Sequence, residues 1–198
     1  MKMARKAKVE RTTLETAVSL ELNLDGSGRA ALQSGVAFLD HMLTLWCRHG
    51  FFDLTLEAKG DLAVEPHHLV EDIGLCLGRA FHEALGDKAG IKRYGFSAVP
   101  MDDALVMAAV DLSGRPFLHY AMPLPPGPVG TLDPELFLEF WQAFVNEGRL
   151  NLHLKMEHGR NKHHLVEASF KAAARALSEA ASKRGGYDGV LSTKGVLE

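Results

Sequence analysis

The sequence HHLVE occupies residues 67–71 and recurs at residues 163–167, each time at the start of an apolar segment with helical spacing. Because a helix brings residues four apart onto one face, the first histidine and the glutamate of each copy can offer an imidazole and a carboxylate to one cation. Adjacent histidines project about 100° apart on a helix, so the two histidines of one copy cannot easily bind the same ion. The simplest interpretation is two metal centres.

The repetition extends beyond this motif. Residues 25–29, with the sequence DGSGR, are echoed by DLSGR at residues 111–115, and residues 41–56 align with residues 139–154. The chain therefore divides into two similar halves of about 95 residues, a period too long for a solenoid. In this alignment Glu139 is the counterpart of His41, which makes both of them candidate ligands.

Hydrophobic periodicity predicts the order strand, strand, helix, strand, helix in each half. We expect strands at residues 18–24, 53–58, 104–110 and 151–156, and helices at residues 38–46, 68–85, 137–145 and 164–181. Helices on one face of an open mixed sheet, formed twice, predict an α+β fold, an internally duplicated two-layer α/β sandwich. The expected boundaries are 1–92 for the first half, 93–186 for the second, and 187–198 for a C-terminal tail that carries STKG.

Composition is that of an ordinary globular protein. With 198 residues and 46% hydrophobic content, the chain can build one sizeable core or two small, fused ones. The formal charge of -3 argues against a general nucleic-acid surface, which needs a basic face. The basic start, which includes Lys2, Arg5, Lys6 and Lys8, is interpreted as a solvated, partly disordered terminus.

Cys47 and Cys76 lie apart in apolar segments and form no Cys-x-x-Cys pair, so we interpret them as reduced core thiols. The sequence shows no signal peptide and no membrane span. A cytoplasmic protein without a membrane or nucleic-acid partner is the default expectation.

The paired motifs predict metal binding, because adjacent histidines with a carboxylate one turn later bring no structural benefit unless a cation neutralises and orders them. Asp40, next to His41, is a candidate partner that orients an imidazole. The donors are nitrogen and oxygen only, which suits Mn, Fe, Co or Zn and disfavours a thiolate site. A second set, Arg93, Arg115 and residues 192–195, could bind a phosphate. Without a Gly-rich P-loop, however, composition alone favours ordinary surface charge for this set.

Taken together, the motifs resemble a known family. The matching segments are RTTLET at 11–16, FLDHM at 38–42, HHLVEDIG at 67–74, the turn at 111–115, GRNKHHLVEA at 159–168 and STKG at 192–195. Over nearly its whole length the chain resembles the imidazoleglycerol-phosphate dehydratases of histidine biosynthesis.

The resemblance implies an enzyme with two manganese ions per subunit that removes water from imidazole glycerol phosphate to give imidazole acetol phosphate. The metal ligands that it implies are His41, His67, His68, Glu71, Glu139, His163, His164 and Glu167. It places Glu15 at the reacting centre, and Arg93, Arg115, Ser192 and Lys194, with Thr193 in the same segment, around the phosphate. Members of the family assemble as 24-subunit cages from trimers, with active sites between subunits.

The chemistry explains the need for metals, because no carbonyl acidifies the carbon that must lose its proton. Lewis acids on the imidazole ring would let the ring act as the electron sink while hydroxide departs. One carboxylate would remove the proton and an acid would protonate the leaving oxygen; Glu15 is the candidate for one role and Glu71 or Glu167 for the other. Two alternatives remain at this point: a two-metal hydrolase, and a non-enzymatic metal-binding or storage assembly.

Overall fold

The computed structural model describes residues 5–197, which form eight strands and four helices. In chain order the elements are β1 (Lys6–Thr12), β2 (Thr16–Asn23), β3 (Ala30–Gln33), α1 (Ala37–Gly50), β4 (Asp53–Gly60), α2 (His67–Leu85), β5 (Tyr94–Met101), β6 (Ala104–Asp111), β7 (Phe117–Ala121), α3 (Glu135–Gly148), β8 (Asn151–His158) and α4 (Lys162–Ala181). The helices and strands for which ranges were predicted are all present, with ends that differ by a few residues. The predicted order is wrong in one respect, because each half has three strands before its first helix and not two.

The two halves have the same topology. The first sheet has the strand order β1-β2-β4-β3 and the second has β5-β6-β8-β7. In each sheet the first three strands are antiparallel, whereas the last pair, β3 with β4 or β7 with β8, is parallel and is connected through a helix. The internally duplicated α/β sandwich is therefore confirmed.

The helices form a layer that both halves share. In the first half α2 packs on β1 and β2, and in the second half α4 packs on β5 and β6. Across the halves, α2 contacts α3 and α1 contacts α4. Aromatic rings cross this boundary, since Phe144 of α3 lies 5.8 Å from Phe81 of α2 and 6.4 Å from Trp46 of α1. The chain thus builds one continuous core rather than two separate ones.

Burial follows the helical periodicity. Leu69, Ile73, Leu77 and Phe81, which share one face of α2, are all buried. Cys47 and Cys76 are also buried and unpaired, as expected. Burial raises the pKa of Cys47 to about 12 and that of Cys76 to about 11, so both thiols stay protonated and unreactive.

Two glycines let α2 and α3 approach closely. A Cβ built on Gly74 would lie 2.6 Å from the backbone oxygen of Phe140. A Cβ on Gly78 would overlap the backbone oxygen of Phe144 and lie 3.0 Å from the nitrogen of Gly148. All three neighbouring atoms are backbone, so they cannot move aside without shifting the helix.

Replacing Gly78 with alanine should therefore destabilise the protein by about 1 to 3 kcal/mol through overpacking. We expect a net loss of stability even though alanine favours the helix over glycine by about 1 kcal/mol. Denaturant unfolding measures the change. Gly185→Ala is the matched control, because a Cβ there meets nothing within 4 Å and should alter stability by less than about 0.5 kcal/mol. Equal stability of the two variants would contradict the close helix contact.

The prediction of a partly disordered basic start is wrong for the described residues, and Lys2 lies outside them. Lys6 and Lys8 belong to strand β1. Arg5 forms an ion pair with Asp25 at 2.6 Å and donates from Nη1 to the backbone oxygen of Ala181. The backbone hydrogen bonds of β1 with β2, together with this ion pair, order the segment.

The outer faces of the two sheets differ in polarity. The first sheet exposes charged residues such as Lys8, Glu10 and Glu21. The corresponding face of the second sheet carries Phe96 and Phe117, each more than half exposed. Strand β6 between them alternates buried with half-buried apolar residues. Among residues 5–197, no helix combines the length and apolar character that crossing a membrane requires.

Candidate active site

Helix α4 begins at the second copy of the motif because Asn161 caps it. The Asn161 side-chain oxygen accepts hydrogen bonds from the backbone nitrogens of His163 and His164. This cap satisfies amides that a helix start leaves unpaired and fixes the first turn. The motif histidines therefore lie on an ordered helical turn.

One group of candidate ligands joins the two halves of the chain. Glu167 Oε2 lies 3.1 Å from His163 Nε2 on the same helix and 3.6 Å from His41 Nε2 on α1. Ligand atoms of the three residues all lie within 4.8 Å of one another. Two imidazole nitrogens and a carboxylate oxygen that converge in this way fit a divalent transition metal.

Glu167 is held in place by a residue that the sequence reasoning missed. Lys171, one turn further along α4, donates to Glu167 Oε1 at 2.5 Å and leaves Oε2 toward the histidines. Burial tends to raise the pKa of Glu167, but the hydrogen bonds from Lys171 and His163 outweigh it and hold the pKa below its ordinary value. The carboxylate is therefore ionised, as a metal ligand must be. The four-residue spacing from Glu167 was the signal available in the sequence.

A second group lies in the first half. His68 Nδ1 is 3.0 Å from Asp61 Oδ2 and 3.7 Å from Glu15 Oε2, and ligand atoms of the three residues lie within 4.8 Å of one another. On the same helix His67 Nε2 lies 3.9 Å from Glu71 Oε2. The first half thus brings Glu15 to its own copy of the motif.

The second histidine of each copy is oriented by an aspartate. His68 Nδ1 donates to Asp61, and His164 Nδ1 donates to Asp103 at 2.7 Å. The first contact raises the pKa of His68, and the second lowers the pKa of Asp103. With the proton on Nδ1, each ring keeps a lone pair on Nε2 for a metal.

The structure differs from the expectation for Asp40. Its Oδ2 accepts from the backbone nitrogen of Ser34 at 3.3 Å instead of orienting an imidazole. The aspartates that orient an imidazole are Asp61 and Asp103. Both lie outside the helices, Asp61 at the end of β4 and Asp103 in the β5–β6 turn. The role of these two aspartates could not be predicted from the sequence, because the fold is what brings their loops to the motifs.

The paired motif residues diverge in space as their helical spacing predicts. The rings of His67 and His68 are 6.0 Å apart with an interplanar angle of 76°, and those of His163 and His164 are 6.2 Å apart at 85°. Within one copy, the two imidazoles therefore point to different places. Only the first histidine of each copy faces the glutamate of its own helix.

Glu139 occupies the place in α3 that His41 has in α1. It is half-buried, and its side chain forms no hydrogen bond or ion pair within the described part of the chain. Because α3 packs on α2 as α1 packs on α4, the fold places Glu139 on the helix that adjoins the first copy of the motif. Gly74 of α2 contacts the next residue of α3, Phe140.

Five of the six candidate phosphate residues line one cavity of about 900 Å³. They are Arg93, Arg115, Ser192, Thr193 and Lys194. Arg93 binds Asp111 through Nε at 2.7 Å and Nη2 at 3.1 Å, and its Nη1 donates to the backbone oxygen of Leu191 at 2.7 Å.

Arg93 therefore holds the C-terminal tail through Leu191, and the remaining N–H groups of its guanidinium can still donate. Its hydrogen bonds with Asp111 raise the pKa of Arg93 above its ordinary value. Within residues 5–197 no ion pair or side-chain hydrogen bond engages the cationic groups of Arg115 and Lys194. The cavity consequently offers two uncompensated positive charges, which favours an anion.

This cavity and the second motif lie at opposite ends of the second sheet. Arg93 adjoins the pair Tyr94–Asp111 at one end of β5 and β6, whereas Asp103 follows the pair Met101–Ala104 at the other. Strands of this length span about 23 Å. One chain therefore does not place its cavity beside its own His164.

Comparison with known proteins identifies the family. Residues 34–177 match the sequence profile of the family Imidazoleglycerol-phosphate dehydratase. The imidazoleglycerol-phosphate dehydratase of Citrifermentans bemidjiense is 55% identical over 195 residues, which cover 98% of this chain and 100% of that protein. The protein of the same name from Geobacillus kaustophilus is 54% identical over the same shares.

Solved structures of the same enzyme agree. The crystal structure from Staphylococcus aureus has a TM-score of 0.82 and 38% identity, and the match covers 90% of this chain and 99% of that one. The structure from Pyrococcus furiosus has a TM-score of 0.83 and 35% identity, with 96% and 100% covered. From its sequence motifs, its duplicated fold and these relatives, the chain belongs to the imidazoleglycerol-phosphate dehydratase family.

Proposed function

We propose that this chain uses two manganese ions per subunit to convert imidazole glycerol phosphate to imidazole acetol phosphate in histidine biosynthesis. Membership of the family makes it a hydro-lyase. The observation that best supports the metal dependence is the convergence of His41, His163 and Glu167, drawn from both halves of the chain, on one point.

His41, His163 and Glu167 would hold one metal ion, and His67, Glu71 and Glu139 the other. His68 and His164, which project away from these groups, would supply Nε2 to the metals of neighbouring copies. When bound, manganese supplies Lewis acidity to the substrate's imidazole ring, so that the ring can take up the electron pair of the broken carbon–hydrogen bond. Besides holding the metals, Glu71 and Glu167 remain candidates for a proton-transfer role.

Glu15 is the proposed catalytic carboxylate, and the duplication supports that role. Each half places a carboxylate of its first hairpin next to the second motif histidine: Glu15 in the first half and Asp103 in the second. Asp103 is fully engaged with His164 and with two backbone nitrogens. Glu15 forms no side-chain hydrogen bond within residues 5–197, because Asp61 orients His68 instead. An exposed carboxylate that accepts no hydrogen bond from these residues can accept or deliver a proton.

Arg115 and Lys194 are proposed to bind the substrate phosphate, with Ser192 and Thr193 as neutral donors and Arg93 as the anchor of the tail. A planar guanidinium and a compact ammonium together give bidentate and point-charge contacts to phosphate oxygens. These contacts would hold the substrate while its ring reacts.

Homo-oligomerisation is part of the proposal, with 24 subunits as the expected size. The cavity and the second motif are separated by the length of strands β5 and β6, about 23 Å, which far exceeds the three-carbon link between the substrate's ring and its phosphate. A second copy could bring its cavity to the metals. The apolar outer face of the second sheet, with Phe96 and Phe117, supports such association.

One assay tests the function. Metal-free protein is reconstituted with manganese and given imidazole glycerol phosphate, a simple phosphoester, or no substrate. The proposal requires a ketone product from the first substrate and no ketone without metal. Release of phosphate from the ester would favour a two-metal hydrolase. Tight manganese binding without turnover of either compound would favour a storage or structural metal protein.

A further inference from the structure

Asp72 is a buried carboxylate that joins helix α2 to the β1–β2 hairpin. It follows Glu71 directly and is only 7% exposed. Its Oδ1 accepts from Arg11 Nε at 2.8 Å, and its Oδ2 accepts from Thr16 Oγ1. Arg11 lies on β1 and Thr16 begins β2, so Asp72 holds both strands at the point where the hairpin turns.

The hydrogen bonds continue from Thr16 to Glu15. Because the Asp72 carboxylate only accepts, the Thr16 hydroxyl donates to it and can itself accept from Thr13 Oγ1, 3.1 Å away. Thr13 Oγ1 in turn accepts from the backbone nitrogens of Glu15, at 3.1 Å, and of Thr16, at 3.0 Å. An unbroken series of hydrogen bonds therefore runs from the motif helix to the Glu15 amide.

Packing does not hold this turn. Leu14, beside Glu15, is fully exposed, and Thr13 and Glu15 are exposed as well. The turn therefore depends on its hydrogen bonds for a fixed conformation. A buried carboxylate with two charge-assisted or hydroxyl donors is the strongest of these contacts.

The buried carboxylate below the hairpin is found in the first half of the chain, which contains Glu15, and not in the second half. In the second copy of the motif Ala168 follows Glu167 and takes the place of Asp72. The second hairpin is a shorter turn, in which Asp103 bonds His164 directly. Of these two hairpins, the one that carries Glu15 thus has a carboxylate support from its motif helix, and the other has none.

We propose that Asp72, acting through Thr16 and Thr13, positions the Glu15 carboxylate over the motif helix. This inference rests on the proposed catalytic role of Glu15. Asp72 and Thr16 are positioning residues, since both are buried and their side chains bond one another rather than reaching the surface at Glu15. Because Asp72 and Glu71 are adjacent, one helix fixes a metal ligand and the catalytic carboxylate together.

The test uses variants that differ by a single hydroxyl in the manganese-loaded protein. Thr16→Val keeps the shape but removes the donor, and Thr16→Ser keeps the donor. We expect Thr16→Val to lower kcat by about 10- to 100-fold, the effect of a misplacement near 1 Å, with KM and bound manganese close to the parent. Thr16→Ser should stay within about threefold of the parent. Thr13→Val breaks the same series at an exposed position, so its expected loss of kcat does not depend on the stability of the core.

A double-mutant cycle separates positioning from general damage. In a Glu15→Gln background, Thr16→Val should change kcat by less than about twofold, because there is no carboxylate left to position. Additive losses, or parental kcat in both Thr16→Val and Thr13→Val, would overturn the inference. Parental turnover of Glu15→Gln alone would instead refute the catalytic role of Glu15. Mass spectrometry of bound manganese and thermal unfolding accompany each variant.

Discussion

Alanine at either His67 or His163 is expected to reduce turnover on the order of 10³-fold or more, because each change removes a proposed ligand from the proposed two-metal site. The structure gives the two residues equivalent places, each facing the glutamate one turn later, at 3.9 Å for Glu71 and 3.1 Å for Glu167. Metal analysis by mass spectrometry beside a rate measurement checks the result. The parent should hold two manganese ions per subunit, and each variant should hold fewer.

His158→Ala is the control for these substitutions, since His158 is exposed and belongs to neither group of candidate ligands. It should keep parental turnover and metal content. If one motif variant behaved like His158→Ala while the other lost activity, a single-metal mechanism would replace the two-metal one. The silent copy would then be a relic of duplication.

Arg115→Ala is expected to lose about 2 to 4 kcal/mol of transition-state binding, as is typical of a charge-assisted contact left unmade. That loss corresponds to a fall in kcat/KM of roughly 30- to 800-fold. Arg115 lines the cavity with Lys194 and makes no ion pair within residues 5–197, so little in the protein itself depends on its charge. Steady-state kinetics with the phosphorylated substrate measures the change.

Arg175→Ala removes an exposed arginine of α4 that lies outside this cavity, and it should leave kcat/KM near the parental value. Inhibition by inorganic phosphate provides a second readout, since Arg115→Ala should weaken it. Unchanged kinetics and unchanged inhibition in Arg115→Ala would show that the phosphate binds elsewhere.

The helices were predictable because their signals are local. In α2 the apolar positions Leu69, Ile73 and Leu77 repeat at helical spacing, and the motif begins the element. Strand β1 was not predicted, because Lys6, Lys8 and Glu10 alternate with few apolar residues on a sheet edge. Such a strand is specified by its partner β2 and by the Arg5–Asp25 pair rather than by its own hydrophobicity.

In the candidate site, too, the residues with a local sequence signal were predictable and those brought together by the fold were not. Four-residue spacing indicated His163 with Glu167, and alignment of the halves indicated His41, which the structure brings to the same point. The aspartates that orient the second histidines could not be read from spacing, because Asp61 and Asp103 reach the motifs through loops. Adjacency in sequence pointed to Asp40 instead, and the helix turns that side chain toward Ser34.

The crossing of helices between halves bears on the origin of the chain. The contact of α2 with α3 and the contact of α1 with α4 correspond to one another, because α1 and α3 occupy equivalent places in the two halves, as do α2 and α4. A half-length ancestor would have formed this interaction as a symmetric dimer, since a single half leaves its helix layer uncovered. In that dimer, the group that corresponds to His41, His163 and Glu167 would already have drawn residues from two polypeptides.

Joining the halves made the association intramolecular, so that it no longer depended on concentration. It also freed the two copies from identical sequence. Glu139 could then diverge from His41, one sheet could stay charged while the other became apolar, and one motif helix could acquire Asp72 beneath Glu15. In a symmetric dimer each of these changes would have appeared twice, at both ends of the molecule.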